Sequence, residues 1–186
     1  MGSRELMTDR EAHTYFKRGA LLRQNGDHAG ALEAYLRCVA IQPGHGDALE
    51  GAAASHAALG QWTLAADSYT LVLALRPDIT RAAVARADCL RRAGCYRAAI
   101  DAYDEVLQGG LSVDALAGRG EALRLLGFHV EALDWFEKAL RNRAEHAAAL
   151  RGRAASLNAL GRFDESRPVW SALLEQNPES SFATLG

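Results

Sequence analysis

The side chains best suited to catalysis or metal binding are scattered through this chain of 186 residues. No metal-ligand spacing relates its six histidines, which are His13, His28, His45, His56, His129 and His146. Two Gly-x-Gly triplets, at 44–46 and 118–120, have Leu49 and Leu123 where a dinucleotide-binding loop needs its third glycine. The motifs of P-loop, zinc-protease and serine-hydrolase sites do not occur either. The sequence therefore predicts a non-enzymatic chain without a cofactor or metal ion.

The number of cysteines indicates the cellular compartment, and the net charge indicates which partners are excluded. Cys38, Cys89 and Cys95 are odd in number, which argues against a disulfide framework and favours a reducing compartment. The net charge of −2 offers no attraction to nucleic acid or to an anionic membrane. Arg4 and Glu5 interrupt any secretory signal, and the longest uncharged run, 51–66, is too short to cross a bilayer. We expect a soluble, cytoplasmic protein that binds neither nucleic acid nor membrane.

A period of about 34 residues organises nearly the whole chain. Glycines recur at 26, 60, 94, 127 and 161, with spacings of 34, 34, 33 and 34. A small residue precedes each glycine by seven positions: Gly19, Ala53, Ala87, Gly120 and Ala154. Another follows it by five: Ala31, Ala65, Ala99, Ala132 and Ser166. An aromatic residue follows by nine: Tyr35, Tyr69, Tyr103, Phe136 and Trp170. Prolines 43, 77 and 178 close three of the units, and Asp78 is a candidate helix N-cap. Apolar residues at helical spacing on both sides of each glycine predict a helix–turn–helix unit.

This pattern resembles the tetratricopeptide repeat over residues 12–178. The resemblance implies an all-α fold, a right-handed α-solenoid of helix–turn–helix repeats. We predict a polar leader at 1–11, five repeats at 12–45, 46–79, 80–112, 113–146 and 147–180, and the start of a truncated further helix at 181–186. Repeat three is one residue short around Gln108 and lacks the closing proline, so we expect a looser junction between repeats three and four.

In proteins with this fold, ligand segments usually lie in a concave groove lined by the first helices of the repeats. The second, fifth, ninth and twelfth residues of each unit share one helix face and supply the candidates for that groove. The candidate peptide-binding residues are Phe16, Arg23, Glu50, Arg81, Val84, Asp88, Arg91, Glu121, Arg124, Arg151 and Asn158. The pairs Asp88–Arg91 and Glu121–Arg124 are three residues apart, so they could simply pair along their own helices. Alternatively, the arginines at the twelfth position, 23, 91 and 124, could hold carboxylates of a bound peptide.

Three functions follow from the resemblance. The first is a non-enzymatic protein–protein interaction scaffold that binds a peptide segment or partner protein in the groove. The second is a non-catalytic arm of a larger enzyme, for instance a glycosyltransferase or signalling enzyme. The third is a homo-oligomer formed through Trp170, Leu173 and Leu174 of the last repeat, which would lack a covering surface.

One partner class is set aside. Co-chaperones of this family hold the C-terminal tails of heat-shock chaperones with lysine, asparagine and arginine residues. The matching positions here are Phe16, Ala20, Gly51, Arg81 and Ala85, of which Arg81 alone is similar in charge. We therefore do not expect this chain to clamp a chaperone tail.

Overall fold

The computed structural model describes the backbone of residues 2–176 and the side chains of residues 9–173. Over that range the chain forms ten α-helices and no strand. It divides into two compact units, Met1–Cys95 and Tyr96–Gly186. The truncated helix predicted at 181–186, the closing Pro178 and the side chain of Leu174 lie outside the described residues.

The first unit holds five helices. They are α1 (Gly2–Gln24), α2 (His28–Ile41), α3 (Gly46–Ala58), α4 (Trp62–Leu75) and α5 (Thr80–Arg92). Each helix packs against the next along the chain, and α1 also contacts α3. Helix α1 begins at Gly2, so it runs through the residues that we predicted as a leader.

The second unit holds the other five. They are α6 (Tyr96–Gly109), α7 (Val113–Leu125), α8 (His129–Asn142), α9 (Ala147–Ala159) and α10 (Phe163–Gln176). Consecutive helices again pack together, and α7 contacts α9. The predicted junction between repeats three and four lies inside this unit, where α6 packs on α7. The two units instead divide within repeat three, between α5 and α6.

Every predicted turn glycine adopts the left-handed conformation. The φ angles of Gly26, Gly60, Gly94, Gly127 and Gly161 lie between +73° and +88°. In that region a side chain would clash with the backbone, whereas glycine turns the chain out of the first helix without strain. The five glycines therefore set the same exit geometry for α1, α3, α5, α7 and α9.

Small residues and rings build the core of each unit. The ten small residues of the two predicted sets are all buried, and so are the rings of Tyr35, Tyr69, Tyr103 and Phe136. The ring of Tyr35 fills the space left by two glycines: a Cβ atom at Gly19 would lie 2.8 Å from its Cδ1 atom, and one at Gly51 would lie 2.5 Å from its Cζ atom. Phe136 lies in the same way against Gly120 and Gly152. Tyr35 and Phe136 thus each join the first helix of their own repeat to the first helix of the next.

Helix caps differ from the sequence-based expectation in two respects. The prediction for Asp78 is wrong, because Ile79 occupies the N-cap position of α5 and contributes no side-chain hydrogen bond. His45 and His146 are unexpected caps: the Nδ1 atom of each accepts a hydrogen bond, 3.2 Å long, from the backbone N–H three residues later. These two histidines occupy equivalent repeat positions and fix the starts of α3 and α9.

Candidate functional site

A cavity in the first unit is lined mainly by first helices. Its walls come from α1, α3 and the start of α5, with two tyrosines from the second helices α2 and α4, and it encloses about 290 Å³. The lining residues are Phe16, Ala20, Arg23, Tyr35, Asp47, Glu50, Gly51, Ala54, Tyr69 and Arg81. Four of the predicted groove residues, Phe16, Arg23, Glu50 and Arg81, therefore surround a single space.

The small side chains keep this cavity open, and aromatic rings form its apolar wall. Phe16 lies 6.1 Å from Tyr35 and 4.8 Å from the imidazole of His45, measured between ring centroids. His45 is itself fixed as the cap of α3, so the Phe16 ring packs on a rigid neighbour. The wall is therefore preformed.

A network of ion pairs forms the charged edge of the cavity. Arg81 donates two hydrogen bonds to Glu50, at 2.9 Å from Nε and 3.0 Å from Nη2. Arg76 donates to Asp47 at 2.8 Å and to Glu50 at 3.3 Å. Each arginine thereby connects the loop after α4, or the first turn of α5, to α3. Both carboxylates are satisfied by guanidinium groups of the same unit.

Arg23 and Tyr69 face this cavity without such partners. Arg23 is exposed near the end of α1, and its side chain makes no hydrogen bond or ion pair within the described residues. Tyr69 is 8% exposed. Its pKa is raised to about 12, chiefly by burial, with Cys89 and Glu50 acting in the same direction and Arg23 and Arg81 acting against it. The charge of Arg23 therefore reaches the phenol of Tyr69.

The other predicted groove residues of the first unit lie along α5. Val84, Asp88 and Arg91 are partly buried there. Arg91 donates a hydrogen bond of 3.2 Å to Asp88. The predicted pairing of these two charges along their own helix is confirmed.

In the second unit, the predicted residues lie on α7 and α9. Arg124 donates two hydrogen bonds of 2.7 Å to Glu121, which confirms the second pair predicted along a helix. Asn158 accepts a hydrogen bond from the hydroxyl of Ser166. Arg151 is exposed and, within the described side chains, has no hydrogen-bond or ion-pair partner. Of the three arginines predicted at the twelfth position, Arg23 is therefore the one without an acid of its own helix beside it.

Sequence reasoning missed two tyrosines that line the cavity and one arginine that pairs with the acids at its edge. Tyr35 and Tyr69 were assigned to packing alone, and Arg76 was not considered. The pair of Arg76 with Asp47 has a counterpart in repeat four, where Arg143 lies 3.9 Å from Asp114 at the equivalent positions. A comparison of equivalent positions would therefore have found Arg76. No comparable signal in the sequence shows that the tyrosines reach the cavity.

The residues proposed for self-association lie on α10. Trp170 and Leu173 are partly buried. The indole Nε1 atom of Trp170 is buried and lacks a hydrogen-bond partner within the described part of the chain. These observations do not assign a partner surface to α10.

Two further properties bear on the class of site. Among the described residues, no group of three or more histidine, cysteine or acidic side chains is placed to hold a metal ion. None of the helices described is both long and apolar enough to pass through a bilayer.

Pairs of helices joined at a left-handed glycine, repeated every 34 residues or so, define a helical-repeat protein. Models of the tetratricopeptide repeat match residues 12–45, 50–112, 84–147 and 136–181. The chain belongs to the tetratricopeptide repeat family, whose fold is generally a non-catalytic module with protein partners.

Solved structures of other proteins show the same fold. A crystal structure of MamA protein shares 20% identity with a TM-score of 0.76, over 95% of this chain and 97% of that chain. Residues 41 to the end of MamA from Desulfovibrio magneticus RS-1 share 16% identity with a TM-score of 0.79, over 91% and 96%. PilF of Pseudomonas aeruginosa shares 20% identity with a TM-score of 0.73, over 91% and 77%. No curated protein matches the chain. At these identities the likeness establishes the fold alone.

Proposed function

We propose that this protein is a non-enzymatic interaction scaffold that binds a peptide segment of a partner protein in the cavity of its first unit. One observation carries the proposal: Phe16, Arg23, Glu50 and Arg81, predicted separately from the repeat pattern, line one open cavity. The first helices α1, α3 and α5 all contribute to it. The three free thiols, two of them buried, fit action in the reducing cytoplasm.

The cavity has the composition of a peptide subsite. Binding sites combine an apolar, aromatic wall with a few polar groups that fix orientation. Here Phe16 and the tyrosines provide the wall, and Ala20 and Ala54 leave room for a side chain of the ligand. A volume of about 290 Å³ accommodates one or two side chains, so the rest of a bound segment would lie along the first helices.

The cavity can be tested by photo-crosslinking. A benzophenone amino acid in place of Phe16 should crosslink peptides from a displayed library, whereas the same group at Phe128, an exposed phenylalanine of the second unit, should not. Crosslinked peptides are then synthesised and their affinity is measured by calorimetry. Ala54→Trp should abolish that binding, because the indole fills the cavity.

Ala155→Trp is the matched control, since Ala155 occupies the equivalent position of repeat five. Its affinity for the same peptides should equal that of the unmodified chain. Equal binding by Ala54→Trp would refute the cavity as the site. A molecular mass that rises with concentration, and falls back on substitution of Trp170, would favour the self-association function instead.

A further inference from the structure

Two tyrosine hydroxyls line the cavity of the first unit without a partner. Tyr35 and Tyr69 are 2% and 8% exposed, and both belong to the cavity wall. Within the described side chains, neither hydroxyl makes a hydrogen bond. Both hydroxyl oxygens keep access to solvent although the rest of each side chain is buried. Each hydroxyl is therefore free of protein partners within that range and available to donate a hydrogen bond to a ligand in the cavity.

The charged side chains around the cavity have a net charge of +1. Arg23, Arg76 and Arg81 contribute three positive charges, and Asp47 and Glu50 contribute two negative ones. Arg76 and Arg81 are committed to the two carboxylates at 2.8–3.3 Å. The excess charge is therefore that of Arg23, which acts on the phenol of Tyr69.

We infer that the cavity binds one carboxylate of the peptide, with the guanidinium of Arg23 and the hydroxyl of Tyr69 as its hydrogen-bond donors and the hydroxyl of Tyr35 completing its polar lining. This inference rests on the proposed function and specifies the chemistry of the ligand. A guanidinium binds a carboxylate with two parallel hydrogen bonds, and such charge-assisted bonds are stronger than neutral ones. The phenol of Tyr69 adds a neutral donor from α4, a second helix of its repeat.

The same charges select against other ligands. A phosphate group would bring about two negative charges at neutral pH, and Asp47 and Glu50 line the cavity beside it. A lysine or arginine of the ligand would find both of these acids already paired. A single carboxylate neutralises the excess charge and leaves the network around Glu50 intact.

The carboxylate can come from an acidic side chain or from the end of the peptide. Blocked glutamate (acetyl-glutamate-N-methylamide) and blocked glutamine (acetyl-glutamine-N-methylamide) are the simplest probes. Blocked glutamate should shift the NMR signals of the Arg23 Nε–H group and the Tyr69 ring, and blocked glutamine should not. Peptides recovered by crosslinking are then compared as free acids and as C-terminal amides, and with each glutamate replaced by glutamine, to identify the source.

Three variants complete the test. Arg23→Gln should weaken peptide binding by about tenfold or more, and Tyr69→Phe by a few-fold, because charged hydrogen bonds contribute more than neutral ones. Arg97→Gln is the control and should leave affinity unchanged, since Arg97 is also exposed but lies on α6, a second helix of the second unit. Arg23 is exposed, so its substitution should leave the helical content unchanged by circular dichroism.

The outcomes separate this inference from the proposed function. Equal shifts with blocked glutamate and blocked glutamine, or full affinity of Arg23→Gln, overturn the carboxylate site while peptide binding itself stands. Failure of every peptide to bind, with the response of Arg23 to blocked glutamate retained, overturns the scaffold function and leaves the anion site in place. If neither blocked glutamate nor blocked glutamine shifts the NMR signals of Arg23 and Tyr69, the inference is wrong.

Discussion

Gly51 offers a sharp test of how the first unit is packed. A Cβ atom at this position of α3 would lie 2.5 Å from Cζ of Tyr35. The ring cannot simply retreat, because its base lies against Gly19, where a Cβ atom would be 2.8 Å from Cδ1. Gly51→Ala therefore forces the ring, the helix or both to move.

Two effects of known size oppose each other in this variant. Alanine favours a helix over glycine by about 1 kcal/mol. Inserting a methyl group into a packed core costs about 1–3 kcal/mol. We expect the crowding to dominate, so that the free energy of unfolding falls by about 1 kcal/mol, because the ring of Tyr35 is only 2% exposed.

The assay is urea unfolding followed by circular dichroism. Gly109→Ala is the control, because Gly109 also lies in a helix and nothing is within 4 Å of its added methyl group. That variant should be as stable as the unmodified chain or more stable. Adding Tyr35→Leu to Gly51→Ala should cost less than the sum of the two single changes. If Gly51→Ala were as stable as Gly109→Ala, the ring would not constrain the approach of α3.

Three further predictions concern a helix cap and the thiols. Asp27→Ala should lower the free energy of unfolding by about 0.5–2 kcal/mol in the same assay, because its carboxylate caps α2. Gln61→Ala should have a smaller effect, since Gln61 makes no side-chain cap bond and loses only an exposed hydrogen bond with His56. In the native state a thiol reagent should modify the exposed Cys95 rapidly and spare the buried Cys38 and Cys89. All three thiols should react in denaturant. Fast reaction of all three in the native state would contradict the burial of Cys38 and Cys89. Burial raises the pKa of Cys89 from 9.0 to about 11, so its contribution to stability should be complete below pH 9 and lost as pH rises to about 11. Cys89→Ala should remove that part of the alkaline destabilisation, and an unchanged pH profile would refute it.

The repeat pattern predicted the local structure well for a physical reason. A left-handed turn at Gly60, the burial of Ala53 and Ala65, and the pairing of Asp88 with Arg91 all depend on neighbours within one helix pair or one helix turn. Such features repeat with the sequence period. Sequence comparison within the chain was therefore sufficient to find them.

The composition of the cavity needed the structure. Arg76 reaches Asp47 across 29 residues, and this contact depends on where the loop after α4 places one long side chain. The capping role of His45 depends on the rotamer of an imidazole, which no spacing specifies. Likewise, the division between α5 and α6 falls inside a repeat that reads like the others at its turn, Gly94. Local patterns do not carry these long-range arrangements.

The shared rings have a consequence for shortening the protein. Phe136 is fully buried because Gly120 of its own repeat and Gly152 of the next both lie against it. A chain cut after residue 146 would lose α9 and lay one side of this ring bare to water. An apolar ring exposed at the end of a helical stack promotes association between molecules. Such a truncation should therefore aggregate unless Phe136 is replaced by a polar residue. Each repeat therefore buries core residues of its neighbour, and a shortened version of the protein needs polar substitutions or a capping helix at its new end.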